Sequence, residues 1–371
     1  ILLRPKGESL TMIQTILETE RLMLRELDDN DFGALRAMLQ DPRVIYAWER
    51  TFSDDEVRSW IARMRKRYRE DGFAYWAAVE KASGAVIGQI GLLKEEFEGN
   101  SHVGVGYILS HAGCGRGYAT EGARACLDHA FRRLGIRRVI ADIRPENLSS
   151  IRVAQRLGMD PAQLVVKQVY GKVMPHRIYL KRTPLITVEP YNPKWPERFN
   201  RLKELLAPVL NDFDCRLEHV GSTSVPGLAA KPVIDADLIL NAPERLGELK
   251  ARLEPLGFGS RGDLGLPGRE MFTESLRLDF PHNFYVCLPG AAPLRNHLEL
   301  RDYLRSHPEA ARRYGELKRE LAARFPDDVD AYCASKSDLI AGFLGDIGFD
   351  RAEVEQIRAA NLAFAPSVTP E

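Results

Sequence analysis

Two short stretches hold residue types that can do chemistry. The first is Gly113-Cys114-Gly115-Arg116-Gly117, set between an apolar run and an amphipathic one. Consecutive main-chain N–H groups in such a bend, joined to the N-terminus of a following helix, form an anion site. Glycine permits positive φ and close approach of the anion. No Gly-Lys-Ser/Thr closes the bend, so it is not a Walker loop. Gly115 and Gly117 begin a dinucleotide pattern, but Thr120 stands where its third glycine belongs.

The second is a Gly221-Ser222 turn followed by the run Val233–Leu240, apolar except for Asp235 and Asp237. Side chains two apart on a strand share a face. At roughly 6 Å and an effective dielectric of about 20, the two carboxylates repel by roughly 3 kcal/mol. Either one of them stays protonated or a cation lies between them. Mg²⁺ takes such oxygen ligands and brings phosphates with it. The Gly221-Ser222 turn offers N–H and hydroxyl donors to a phosphate, and Lys231 offers a charge. The set reads as a metal-assisted nucleotidyl-transfer site, with the metal on Asp235 and Asp237 and a nucleoside triphosphate on the turn. The plainer reading is a solvated edge strand, with Lys231 in a surface ion pair.

The elements that must position these stretches follow from periodicity. In the first half, residues 21–27, 73–79, 86–93, 102–109, 138–143, 165–169 and 177–180 have strand character, with a turn at Ser83-Gly84. Helical spacing covers 30–39, 54–69, 120–134 and 149–157, the second behind Ser53 with Glu56 three residues on, a capping box. Gly135 and Gly158 end the last two helices. Prolines at 184, 190, 193 and 196 then mark a boundary. The second half runs helix (196–210), strand (216–220), the acidic strand, helix (243–255), a glycine-rich hairpin region, strand (283–288) and mostly helix to about 344. The fold class is α/β (α+β) in two domains, 16–182 and 183–348, each a mixed sheet with helices. Residues 1–15 are expected to form a leader, and 349–371 a tail that frays from about 361.

Composition narrows the function. Lysine plus arginine and aspartate plus glutamate number 52 each, so the charge balance favours neither nucleic acid nor membrane. The 371 residues, 44% hydrophobic and 28% charged, suit two globular domains. No apolar run reaches the roughly 18 residues of a membrane span. Five cysteines, with no C-x-x-C pair, argue for a reducing cytoplasm rather than a disulfide framework.

The stretch Cys114-Gly115-Arg116-Gly117-Tyr118-Ala119-Thr120-Glu121, followed by Pro145-Glu146-Asn147-Leu148-Ser149-Ser150 and Arg156-Leu157-Gly158-Met159, resembles the Gcn5-related N-acetyltransferases (GNAT). Within them it is similar to the branch that acetylates ribosomal-protein N-termini and small amines. The resemblance implies acetyl-CoA as donor, with its pyrophosphate on the amides of Gly115, Gly117 and Ala119. Arg116 would add charge, Asn147 would contact the CoA arm, and the strand at Ile108 and Leu109 would bond the pantetheine. The acceptor would be a small-molecule amine or a peptide N-terminus. Chemistry would be direct attack of the amine on the thioester, which needs a base, an oxyanion donor and an acid. Here the chain departs from the branch. Gly104 replaces a frequent glutamate, and no tyrosine precedes Gly158-Met159. Base and acid are therefore unassigned. His102 is the nearest titratable group on its strand, or else an exposed edge histidine. Glu121 is a candidate beside the bend, or else a first-turn acid that suits the helix dipole.

The segment Glu218-His219-Val220-Gly221-Ser222-Thr223-Ser224-Val225-Pro226-Gly227-Leu228, with Lys231, Asp235, Arg269, His282–Val286 and Arg301–Arg305, resembles the GrpB family (UPF0157), on a nucleotidyltransferase-like fold. That fold implies a third acid from a later strand. Asp279 is the candidate, with Glu270 and Glu274 competing.

Overall fold

Alternating burial shapes the first strands. In β2, Leu22 and Leu24 are fully buried while Met23 and Arg25 face partly outward. The computed structural model describes residues 15–97 and 99–363; the expected leader up to residue 14 and the tail beyond 363 lie outside the described residues. The chain divides into two compact units. One comprises the residues up to Glu95, His102–Asp160 and Val166–Lys181; the other comprises Glu96–Ser101, Pro161–Val165 and the chain from Arg182 onward.

The N-terminal sheet has eight strands: β1 (Thr15–Glu18), β2 (Leu22–Arg25), β3 (Tyr75–Glu80), β4 (Val86–Phe97), β5 (Asn100–Leu109), β6 (Arg138–Ile143), β7 (Asp160–Val169) and β8 (Lys172–Arg182). Their order is β1-β2-β3-β4-β5-β6-β8-β7. β1 to β4 pair antiparallel in succession where the register is defined, whereas β5 and β6 pair in parallel, Val103 opposite Val139 and Gly104 opposite Ile140. Two helices, α1 (Phe32–Leu39) and α2 (Asp54–Glu70), place Leu35, Met38, Val57, Trp60 and Ile61 in one core with Tyr75 and Ala77. The Ser53–Glu56 capping box is formed in full, so α2 starts where the sequence indicates. The helix α3 (Tyr118–Arg132) buries Ala123, Cys126, Leu127 and Ala130 at helical spacing, and α4 (Leu148–Arg156) follows β6.

The second unit carries a four-stranded sheet of β9 (Cys215–Val220), β10 (Ile234–Leu240), β11 (Arg269–Phe272) and β12 (His282–Cys287), in the order β11-β12-β10-β9. β10 is parallel to β12 and antiparallel to β9. The acidic strand is thus interior, which corrects the solvated-edge alternative. One face, with Ala236, Leu238 and Phe284, packs on α5 (Lys194–Leu210) and α6 (Leu246–Leu253). The chain continues through α7 (Ala292–Ser306), α8 (Pro308–Arg324), α9 (Val329–Ile347) and α10 (Arg351–Ala363), so helix occupies much of the expected tail. Among the described residues no helix is long and apolar enough to cross a membrane.

Candidate functional site

In the N-terminal unit the site follows from a divergence. β5 and β6 pair at Gly104 and Ile140, and beyond those residues Val105–Leu109 and Ala141–Ile143 line opposite sides of a cleft of about 580 Å³. A parallel pair that splays leaves main-chain N–H and C=O groups for an extended ligand arm. Ile108 and Leu109 both line the cleft, as do Cys114, Gly115, Gly117, Tyr118, Ala119, Thr120 and Asn147.

The glycine bend closes one end. Gly115 (φ +75°) and Gly117 (φ +85°) both adopt the left-handed region that side-chain-bearing residues resist. Gly117 is the N-cap of α3 and brings no side chain to its first turn; the first helical bond is Glu121 N–H to Gly117 O at 3.0 Å. The preceding N–H groups are left for an anion. Arg116 does not reach into this cradle. Its guanidinium pairs with Glu80 at 3.2 Å and lies 5.0 Å over the Tyr118 ring, while its carbonyl accepts from Arg21 at 3.0 Å. Tyr118 is buried and hydrogen-bonds Glu80. Arg116 and Tyr118 therefore anchor the bend, and Arg152 and Arg156 supply charge to the cleft wall.

Asn147 caps α4, accepting from Ser150 N–H at 3.1 Å and from Tyr46 Oη at 2.8 Å, so its amide nitrogen is what remains for a ligand. Glu121 accepts from Thr19 Oγ1 at 2.6 Å, from Arg21 N–H at 2.8 Å and from the Arg21 guanidinium at 2.7 Å. Burial pushes its carboxyl up, but these three bonds outweigh it and hold it below the ordinary glutamate range. Its lone pairs are engaged in joining α3 to the β1–β2 turn. His102 is buried, not exposed at a strand edge, and is not among the residues lining the cleft.

Sequence reasoning missed two residues that do line it. His176, on β8, is buried, and its Nδ1 lies 3.2 Å from the Met174 carbonyl. A carbonyl only accepts, so Nδ1 carries the proton and Nε2 is a lone-pair acceptor. Tyr75 lies fully within the unit, and burial raises its phenol well above the ordinary value, keeping it a donor. The signal in the sequence was weak: His176 stands 58 positions after Tyr118 on a strand read only from residue 177.

In the second unit Asp235 and Asp237 lie on one face of β10, opposite Asn283 and Tyr285 of β12 in register. Asp235 Oδ1 accepts from Asn283 Nδ2 at 2.7 Å; burial raises the Asp235 carboxyl, against this amide bond. Asp237 is fully buried, and its Oδ2 lies 2.8 Å from Nδ1 of His297 on α7. Burial pulls His297 down, but the Asp237 carboxylate outweighs it and holds the imidazole above its ordinary value. His297 Nδ1 is thus the polar partner that Asp237 meets in the interior. Gly221 (φ +68°) belongs to the same cluster, since a Cβ there would lie 2.3 Å from Asp235 Oδ2. Ser222 accepts from Lys318 Nζ at 2.9 Å.

The other acids have cationic partners of their own. Asp279 is half exposed and pairs with Arg201 at 2.8 Å, Glu270 pairs with Lys250, and Glu274 pairs with Arg182. Among the described residues no group of three or more His, Cys, Asp or Glu side chains is placed to hold a metal ion. Of the Asp235–Asp237 pair, Asp237 Oδ1 is left buried without a hydrogen-bond donor among the described residues. This donor set does not fit the several oxygen ligands that Mg²⁺ takes from protein and phosphate together. His297 and Lys336 were not singled out from sequence. His297 and Arg301 at i and i+4 on α7 were the available hint.

A family model described as acetyltransferase (GNAT) domain matches residues 21–160, and one described as GrpB protein matches residues 185–345. Uncharacterized protein YkkB of Bacillus subtilis (strain 168) is 32% identical over 155 residues, 42% of this chain and 90% of YkkB. UPF0157 protein YqkA of the same organism is 32% identical over 195 residues, 52% of this chain. The match spans 56% of YqkA's own length. The crystal structure of conserved protein GrpB from Enterococcus faecalis is 32% identical, covering 46% of this chain and 99% of that one, with a TM-score of 0.40.

Proposed function

Because the N-terminal unit belongs to the acetyltransferase (GNAT) family and the second to the GrpB family, we propose that the chain is an acetyl-CoA-dependent N-acetyltransferase. Its acceptor is a primary amine, on a small molecule or a peptide N-terminus. The observation that carries this reading is the uncapped N-terminus of α3, with its two left-handed glycines, at the end of the cleft between β5 and β6.

When bound, acetyl-CoA supplies the acetyl thioester. The 115–119 bend holds its diphosphate, and the β5 backbone at Ile108 and Leu109 holds its pantetheine arm. His176 Nε2 takes the proton of the attacking amine as the new C–N bond forms. Tyr75 Oη donates a hydrogen bond to the sulfur as the C–S bond breaks, and the departing thiolate takes its proton from solvent. The five cysteines are all unpaired, which suits the reducing cytoplasm in which this donor is plentiful.

The second unit acts in this reading as a binding module, not as a metal-dependent nucleotidyltransferase. What favours this is the pairing of Asp279 with Arg201 and the engagement of Asp235 by Asn283 and of Asp237 by His297. The test is a panel of amines and N-terminal peptides with acetyl-CoA, following release of free CoA thiol, with and without ATP and Mg²⁺. Amine-dependent release that ignores ATP and Mg²⁺ is expected. Absence of any calorimetric heat with acetyl-CoA or CoA would overturn the acetyl-transfer reading.

A further inference from the structure

One carboxylate in the N-terminal cleft takes no part in holding or activating acetyl-CoA. Asp142, on β6, is the one acid among the described residues that line the cleft. Its Oδ2 accepts from Lys167 Nζ on β7. Its Oδ1 is buried with no hydrogen-bond partner among the described residues. An acceptor oxygen left so is costly unless a donor reaches it. Asp142 stands at the closed end of the cleft. β5 and β6 still pair at Gly104 and Ile140, and Asp142 follows two residues past Ile140. Tyr75 Oη belongs to the same end, since a Cβ on Gly106 would collide with it. Glu95, on β4, lies near Asp142, and Lys167 and Arg67 both act on it; neither Glu95 nor Arg67 lines the cleft.

We propose that Asp142 selects the acceptor: the amine acetylated in this cleft carries a second, positively charged ammonium group, which the Asp142 carboxylate holds at the closed end. The proposal rests on the reading of the cleft as an acetyl-CoA site and narrows its acceptor to a small diamine. With the diphosphate on the 115–119 bend, the donor's arm runs back along Leu109 and Ile108, so the thioester comes to the end where Asp142 stands. A charged N–H donor gives a carboxylate oxygen roughly twice the gain of a neutral one. Trp48, Tyr75 and Tyr107 also line the cleft, and aromatic rings attract both a cation and the methylene chain that bears it. The arginines lining the cleft do not ask for an acidic acceptor. Arg43 pairs with Asp41 at 2.7 Å, and Arg144 with Glu49 at 2.7 Å and Glu146 at 3.3 Å. Arg152 and Arg156 stand on α4 and serve the diphosphate. Size points the same way. The segment before α2 that lines the cleft is fastened at two further points, Glu49 to Lys172 of β8 at 3.0 Å and Tyr46 Oη to Asn147 at 2.8 Å. A cleft of about 580 Å³ that already takes the donor's arm has room for a small molecule beside it.

The experiment compares four straight-chain amines substituted at the far end: diaminobutane, aminobutane, aminobutanol and aminobutanoate. Each is titrated by calorimetry into the full chain saturated with CoA, and each is offered as acceptor with acetyl-CoA, following thiol release. Diaminobutane is expected to bind at least tenfold tighter than the other three and to show a KM lower by the same factor. Asp142→Asn should remove that margin by raising the KM for the diamine, with kcat within about threefold of wild type and the KM for acetyl-CoA unchanged. Should this variant fail to fold, the ranking of the four amines on the wild type decides alone. A margin below tenfold, a preference for the hydroxyl or carboxylate analogue, no heat from the diamine, or a margin that survives in Asp142→Asn overturns the proposal. A chain that gives no heat with CoA loses the acetyl-transfer reading instead; the same four amines titrated into the CoA-free chain, with the same tenfold threshold, then decide the role of Asp142 separately.

Discussion

The Nδ1 of His176 lies 3.2 Å from the carbonyl oxygen of Met174, two residues before it on β8. That contact decides the tautomer, and with it which nitrogen can accept a proton in the cleft. Replacing His176 by Gln should keep the fold and acetyl-CoA affinity but remove the basic nitrogen. Steady-state kinetics should show kcat down by about 100-fold with little change in the KM for acetyl-CoA. A loss confined to KM would assign His176 to binding.

Gly117 should be the more demanding position for donor binding. Its φ of +85° suits glycine, and it caps α3 without a side chain. Gly117→Val should weaken acetyl-CoA binding at least tenfold in calorimetry while circular dichroism stays unchanged. Unaltered affinity would move the diphosphate away from this bend.

Glu121 should prove structural. Glu121→Gln is expected to leave kcat within about threefold of wild type, since a catalytic base would give a loss of 100-fold or more. Its stability effect has a definite sign with pH. The folded carboxyl is held below its ordinary value of 4.5, so its contribution is full above that pH and is lost as the pH falls through the lower, folded value. Urea midpoints of the two proteins should converge at acid pH.

His219 gives a second pH signature. Burial first, then Arg305 and Arg301, depress it from 6.5 to about 4, while its ring stacks on Phe199 at 4.7 Å and its Nε2 lies 3.1 Å from Thr223 Oγ1. Below pH 6.5 the unfolded chain binds a proton that the folded one refuses. Stability is thus complete above 6.5 and falls as the pH drops toward 4, by on the order of 3 kcal/mol. His219→Gln should flatten this part of the urea-midpoint profile.

Local chemistry was legible in the residue order. The Ser53–Glu56 capping box, the glycine bend before α3, and the two acids two apart on a strand are properties of neighbours in sequence, and backbone geometry converts such spacing directly into shape. The tertiary structure decided what meets across the fold. His176 enters the cleft because β8 lies next to β6 in the sheet, far from its order in the chain. His297 meets Asp237 from a helix 60 positions away, and Lys318 reaches Ser222 across 96. Composition and periodicity carry no record of such pairings, because burial and long-range electrostatics act only once the chain has closed.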